Sequence, residues 1–110
     1  RNPIFVNLSD GSVRDSFTLK LRNMESRPRS MTVTLSGAPG LRMWSEEQSR
    51  AQAARALEVR VAPDQVRKLR VFVVGTAEGP AREPFTFVLT AEGQKKERAQ
   101  EQATFERQGE

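Results

Sequence analysis

The sequence contains no cysteine and no histidine. Without thiolate or imidazole, zinc, copper and iron–sulfur sites built from the usual ligand sets are excluded. A histidine base is excluded too, and no side chain titrates near neutrality by default. No disulfide can form, so the fold must hold by packing alone, which a chain of 110 residues allows. Tyrosine is also missing, and the aromatics are six Phe and one Trp. No apolar run approaches the roughly 20 residues of a membrane-crossing helix, and no signal-peptide core is visible. The first residue is Arg1 rather than Met. The chain therefore reads as an excised or processed piece of a longer protein, with anchors and targeting signals expected upstream.

Glycine-rich phosphate loops and nucleophile elbows are absent as well. The acidic pair Glu46-Glu47 lies in a polar stretch with nothing to raise a carboxyl pKa. No catalytic residue, metal ligand or resident cofactor is expected in this chain.

What remains is the composition of one modest domain. The apolar set is 36% of the residues, enough for a core but not a generous one. Lys and Arg number 18 against 14 Asp and Glu, a net charge of +4. That excess is mild, and most Phe fall at core positions rather than between basic residues. A nucleic-acid module concentrates its cations and interleaves aromatics for stacking, so no nucleic-acid partner is expected.

Period-2 alternation dominates the chain, and helical periodicity is nearly absent. Ile4, Val6 and Leu8 form a first alternating run, closed by the turn residues Ser9-Asp10-Gly11-Ser12. Val13, Phe17, Leu19 and Leu21 share one parity, and Arg14, Ser16, Thr18, Lys20 and Arg22 the other. This is a half-buried strand. Asp15 breaks the apolar parity, which places the firm start of that strand at Ser16. Asn23 to Arg29 is polar, contains Pro28 and reads as a hairpin loop. Met31, Val33 and Leu35 make the third strand and Leu41 to Ser45 a short fourth. Glu46 to Ala56 favours helix by propensity but offers no apolar stripe, so a polar loop or one helical turn is expected. Leu57, Val59 and Val61 form the fifth strand. Val66 to Val74 forms a sixth whose second half is apolar on both faces, as a central strand requires. Phe85, Phe87 and Leu89 begin the seventh.

The expected fold is all-β: an immunoglobulin-like Greek-key β-sandwich of about seven strands over residues 1–92. Residues 93–110 are charged and Gln-rich, with Phe105 their one large apolar residue. They are expected to be a polar tail, either an edge strand or disordered.

Several residues invite a functional reading. Asp10-Gly11 is a turn rather than a calcium loop, which needs several oxygen ligands in register. Trp44 could cap a groove, but packing is the plainer role. Met24, Met31 and Met43 are soft ligands for copper(I) in principle, yet Met31 and Met43 sit on core parity. Lys20, Arg22, Lys68 and Arg70 are the candidate partner-facing cations, with Arg14 and Arg67 near them in sequence. The competing reading is a solvated face, its charges paired across strands to acids such as Glu58 and protecting a sheet edge.

The opening Arg1-Asn2-Pro3-Ile4-Phe5-Val6-Asn7-Leu8-Ser9-Asp10-Gly11-Ser12-Val13-Arg14, continuing through Phe17-Thr18-Leu19-Lys20-Leu21-Arg22-Asn23, resembles a known domain. It is similar to the start of the C-terminal immunoglobulin-like domain of the FixG family, accessory proteins of cbb-type cytochrome c oxidases. Leu35-Ser36-Gly37 and Val59-Arg60-Val61-Ala62-Pro63 fit the same domain. The family pattern often has Asn, a small residue and Tyr where this chain has Asp15, Ser16 and Phe17; the aromatic is kept and its hydroxyl is not.

The resemblance implies a parent anchored by several membrane helices, with a cytoplasmic pair of 4Fe–4S clusters in the part outside this chain. The domain would follow the last helix, as a periplasmic domain of an inner-membrane protein, and meet a protein partner there. The parent's role would be electron transfer during oxidase assembly, tied to copper supply. From the residues alone, a rival of another class is a free-standing extracellular or chaperone-like adhesion module that works by strand addition.

Overall fold

The computed structural model describes residues 5–91 and 97–107. Arg1 to Ile4, which carry the arginine–asparagine–proline start, lie outside the described residues, as does Gly93. The period-2 pattern becomes eight strands: β1 Phe5–Asn7, β2 Ser12–Asn23, β3 Arg29–Ser36, β4 Arg42–Ser45, β5 Ala56–Val61, β6 Gln65–Thr76, β7 Arg82–Ala91 and β8 Glu97–Glu106. They form two antiparallel sheets, ordered β1-β2-β6-β4 and β5-β3-β7-β8. Every connection from β2 to β7 changes sheet, which is the immunoglobulin-like pattern. The Asn23–Arg29 segment is therefore a crossing between sheets and not a hairpin loop.

The inward parity of each strand supplies the core. Leu19, Leu21, Leu69, Val71 and Val73 from one sheet meet Val33, Val61 and Phe87 from the other, all nearly or fully buried. Phe17 of β2 meets Phe85 and Phe87 of β7 edge-on, with ring centroids 5.6 and 5.4 Å away. This joins the sheets in the geometry that aromatic quadrupoles prefer. β6 is central, bonded to β2 on one side and β4 on the other. Its Gly75 leaves space at the sandwich end, because a Cβ there would stand 2.6 Å from Leu41 and 3.3 Å from Phe105.

Two elements differ from the alternation rule for physical reasons. β2 starts at Ser12, not Ser16, and Asp15 sits on its inward parity with 3% of its surface exposed. One carboxylate oxygen of Asp15 accepts the Glu106 backbone N–H at 2.6 Å, tying β2 to β8 across the sandwich. Residue 92, the expected end of the sandwich, falls between β7 and β8, and β8 pairs with β7 from Ala91↔Glu97 to Arg82↔Glu106. Its first half, Arg98 to Gln102, is exposed on both parities, and only Ala103 and Phe105 reach the core. That is why its sequence does not alternate. The Glu46–Arg55 stretch is, as expected, a loop with one 3-10 turn at Arg50–Gln52, and Ala56 begins β5.

Buried and half-buried polar side chains fix the loops. Arg55 donates to the carbonyls of Ala38 and Leu41 through one terminal nitrogen and of Leu35 and Gly37 through the other, at 2.7–3.1 Å. Arg107 donates to Thr76 and Pro80 carbonyls and to the Glu83 carboxylate while lying 4.9 Å over the Phe105 ring. Asn23, fully buried, donates to the carbonyls of Arg27, Val61 and Ala62 and accepts the Glu25 N–H. Each satisfies backbone groups that a loop would otherwise leave unpaired.

Candidate interaction surface

The outer face of the β1-β2-β6-β4 sheet collects the cations that the sequence singled out. β2 and β6 pair in register with Thr18↔Arg70, Lys20↔Lys68 and Arg22↔Val66. Residues two apart on a strand share a face. Lys20, Arg22, Lys68 and Arg70 therefore project from one side, and all four are exposed. Lys20 and Lys68 stand directly opposite each other, with Cα atoms about 4.5–5.5 Å apart. Like charges in that position destabilise a sheet.

Acids do not neutralise this face. Glu58 lies on β5, opposite Thr32 in the other sheet, so the expected cross-strand pairing with it does not exist. Among the described residues, none of the four cations has an ion pair or a side-chain hydrogen bond. Two carboxylates of the β4–β5 loop lie beside β6. Glu46 accepts the backbone N–H of Arg70 at 3.3 Å, and Glu47 pairs with Arg67, which is on the other parity.

Arg14 belongs to a different cluster at the far end of the same face. Its guanidinium carbon lies 4.8 Å over the Phe72 ring, and Phe72 packs against Trp44 with centroids 5.6 Å apart. Trp44 is 6% exposed and serves packing on the outside of the sheet, apart from the core between the sheets. Asp10 is a turn residue: it accepts from the Ser12 amide and hydroxyl and from Arg50, and these bonds, the Ser12 hydroxyl first, hold its carboxyl down at about 2. Met31 and Met43 are core residues, whereas Met24 is 68% exposed. No cluster of three or more Asp and Glu residues that could hold a metal ion exists among the described residues. Among the described residues no helix is long and apolar enough to cross a membrane.

Sequence reasoning missed Asp15, Arg55 and Arg107 as structural anchors. Nothing local marks them, because their partners lie 14 to 91 positions away.

Two four-stranded antiparallel sheets with these crossings define an immunoglobulin-like β-sandwich domain. Its relatives are then specific. The chain belongs to the family described as an IG-like fold at the C-terminal of FixG, whose sequence model matches residues 1–108. It is 41% identical over 73 residues to the nitrogen fixation protein FixG of Rhizobium meliloti (strain 1021), covering 66% of this chain and 14% of that protein. It is 34% identical over 90 residues to protein RdxA of Cereibacter sphaeroides, covering 82% of this chain and 17% of RdxA. The chain thus spans about a sixth of the length of these curated relatives. A FixG-related protein from Vibrio parahaemolyticus, known from its crystal structure, superposes with a TM-score of 0.71 over 96% of this chain and 93% of that one. At 15% identity that likeness concerns the fold.

Proposed function

We propose that this domain is a non-catalytic periplasmic interaction module of a membrane-anchored, 4Fe–4S electron-transfer protein that serves assembly of a cbb-type cytochrome c oxidase. Its docking surface is the Lys20, Arg22, Lys68 and Arg70 face, and its partner there is a protein with an acidic surface. The observation that carries this is the uncompensated Lys20↔Lys68 pair on an exposed face. A like-charge pair that weakens the sheet fits a role outside the fold, and an acidic partner would neutralise it. Family membership supports the parent, and the absence of Cys and His from this chain leaves redox chemistry to residues elsewhere.

The parent is tested by the gene sequence upstream of Arg1. Apolar runs of about 20 residues together with C-x-x-C-x-x-C-x-x-x-C-P motifs are expected; a gene lacking both would sink this reading. The face is tested in the full-length protein by placing a photo-crosslinking amino acid at Thr18, with Thr32 on the opposite sheet as control. A specific adduct at Thr18 that disappears in the K20E/K68E variant is the expected result. Equal adducts at both positions, or none at Thr18, would remove the face from the proposal.

A second reading is favoured by β8. It is a ten-residue edge strand paired on one side only. Such an edge suits strand addition in a free-standing adhesion module. That reading requires a signal peptide directly upstream or tandem sandwich repeats.

A further inference from the structure

We infer that the end of the sandwich formed by the β2–β3 and β5–β6 connections rests on a bilayer of anionic phospholipid. The inference depends on the membrane-anchored parent proposed above. Three large apolar side chains are exposed among the described residues, Val6, Met24 and Val66. Two of them sit at this one end. Met24 follows β2 and is 68% exposed; Val66, 47% exposed, is the second residue of β6 and lies directly opposite Arg22. Isolated exposed apolar residues are ordinary, but a pair beside cations is the composition of a membrane-surface contact.

The cations are in place. Arg22 stands across from Val66, Arg27 is exposed in the β2–β3 loop, and Lys20 and Lys68 form the next row inward. Among the described residues with described side chains, two acids share the end. Glu25 is already engaged by Arg27 and Arg29 at 3.1 Å, and Asp64 lies in the β5–β6 turn. Beside Met24 the sheets part into a cleft of about 470 Å³. Lys20, Arg22 and Arg98 supply its cations, and Met31 and Leu89 its more buried apolar side chains. Cations beside apolar side chains match a phosphate headgroup and its acyl chain.

What precedes the domain supplies the remaining argument. The family's fold is C-terminal in its parent, and this chain covers 14–17% of its relatives, so the rest of a family member precedes it. Membrane segments in that preceding part would hold the domain close to a bilayer. With this end on it, the strands stand across the membrane surface, and the Lys20/Lys68 face looks sideways toward a protein partner.

The test uses the whole chain, tethered through an N-terminal polyhistidine to vesicles of phosphatidylcholine with phosphatidylglycerol and a nickel-chelating lipid. The absence of native cysteine allows a single environment-sensitive fluorophore at M24C or, at the opposite end, at E78C. We expect the label at position 24 to brighten at least twofold and to be quenched by brominated acyl chains, with no change at position 78. The R22E/R27E variant should abolish the gain, and so should vesicles lacking phosphatidylglycerol. A label at 24 that stays aqueous overturns the inference. So does a gain that survives on neutral vesicles or in R22E/R27E, since that is proximity from the tether alone. A label that responds to an added acidic protein but never to lipid gives this end to a protein partner and overturns it likewise. Because the tether replaces the parent's own anchor, failure here leaves the upstream-gene test of the parent untouched.

Discussion

Asp15 shows how far a single residue departs from its pattern when a distant partner is available. Burial raises its carboxyl from 3.8 to about 6, the Glu106 N–H opposes that rise, the Glu106 carboxylate adds to it, and Arg107 opposes it. Its second oxygen is buried without a hydrogen-bond partner. The folded domain therefore keeps this proton to a higher pH than the unfolded chain does. Its contribution to stability is fully present below about pH 4 and declines as pH rises toward about 6. Asp15→Asn keeps an acceptor for the Glu106 amide and removes the buried charge. Urea unfolding should show the variant more stable than the native chain at pH 7, by on the order of 1–3 kcal/mol. The difference should close by about pH 4; a gap independent of pH would refute this account. In the sequence Asp15 is visible only as an interruption of apolar parity. The amide that justifies it is 91 residues away, beyond any local pattern.

At the scale of the strand, alternation disclosed most of the architecture because most strands have one wet face and one dry face. β2, β3 and β5 alternate cleanly, and β6 is apolar on both faces in its second half, where β2 and β4 flank it. β8 escaped because an edge strand that overhangs its partner sheet has little core to face. Its anchor is Phe105, fully buried against Gly75 of β6. Phe105→Ala should lower the free energy of unfolding by about 3–5 kcal/mol. Hydrogen exchange should then show β8 amides opening ahead of those of β2 and β6. A loss under about 1 kcal/mol would mean that β8 is dispensable. The cationic face was legible as residues but not as a face. Alternation put Lys20 and Arg22 outward, while only the β2–β6 register sets Lys20 against Lys68 and moves Glu58 to the other sheet. Lys20→Glu converts that repulsion into an opposite-charge pair. Thermal unfolding at low salt should show a gain of about 0.2–1 kcal/mol, fading as salt rises. A variant that is more stable in isolation yet captures less partner would separate the needs of the fold from those of the face. Destabilisation by K20E would mean that the pair is not repulsive.

The whole molecule joins these two levels. One sheet turns a cationic outer face to solvent, and the other carries Thr32, Thr34, Thr86 and Gln102 outward with charges of both signs, Glu58 and Arg60 among them. The two sides are thus chemically distinct. The end bearing Met24 and Val66 is distinct again.

The loops between these surfaces are pinned by guanidinium groups reaching backbone carbonyls, Arg55 over Leu35–Leu41 and Arg107 over Thr76–Pro80. A guanidinium neither accepts electrons nor gives up its proton in a protein. A disulfide in the same position would open under a reducing potential, and a thiol would trap a passing metal ion. These clamps hold the same geometry whatever the redox poise around them. The scaffold can thus stand beside electron traffic without itself becoming part of the circuit.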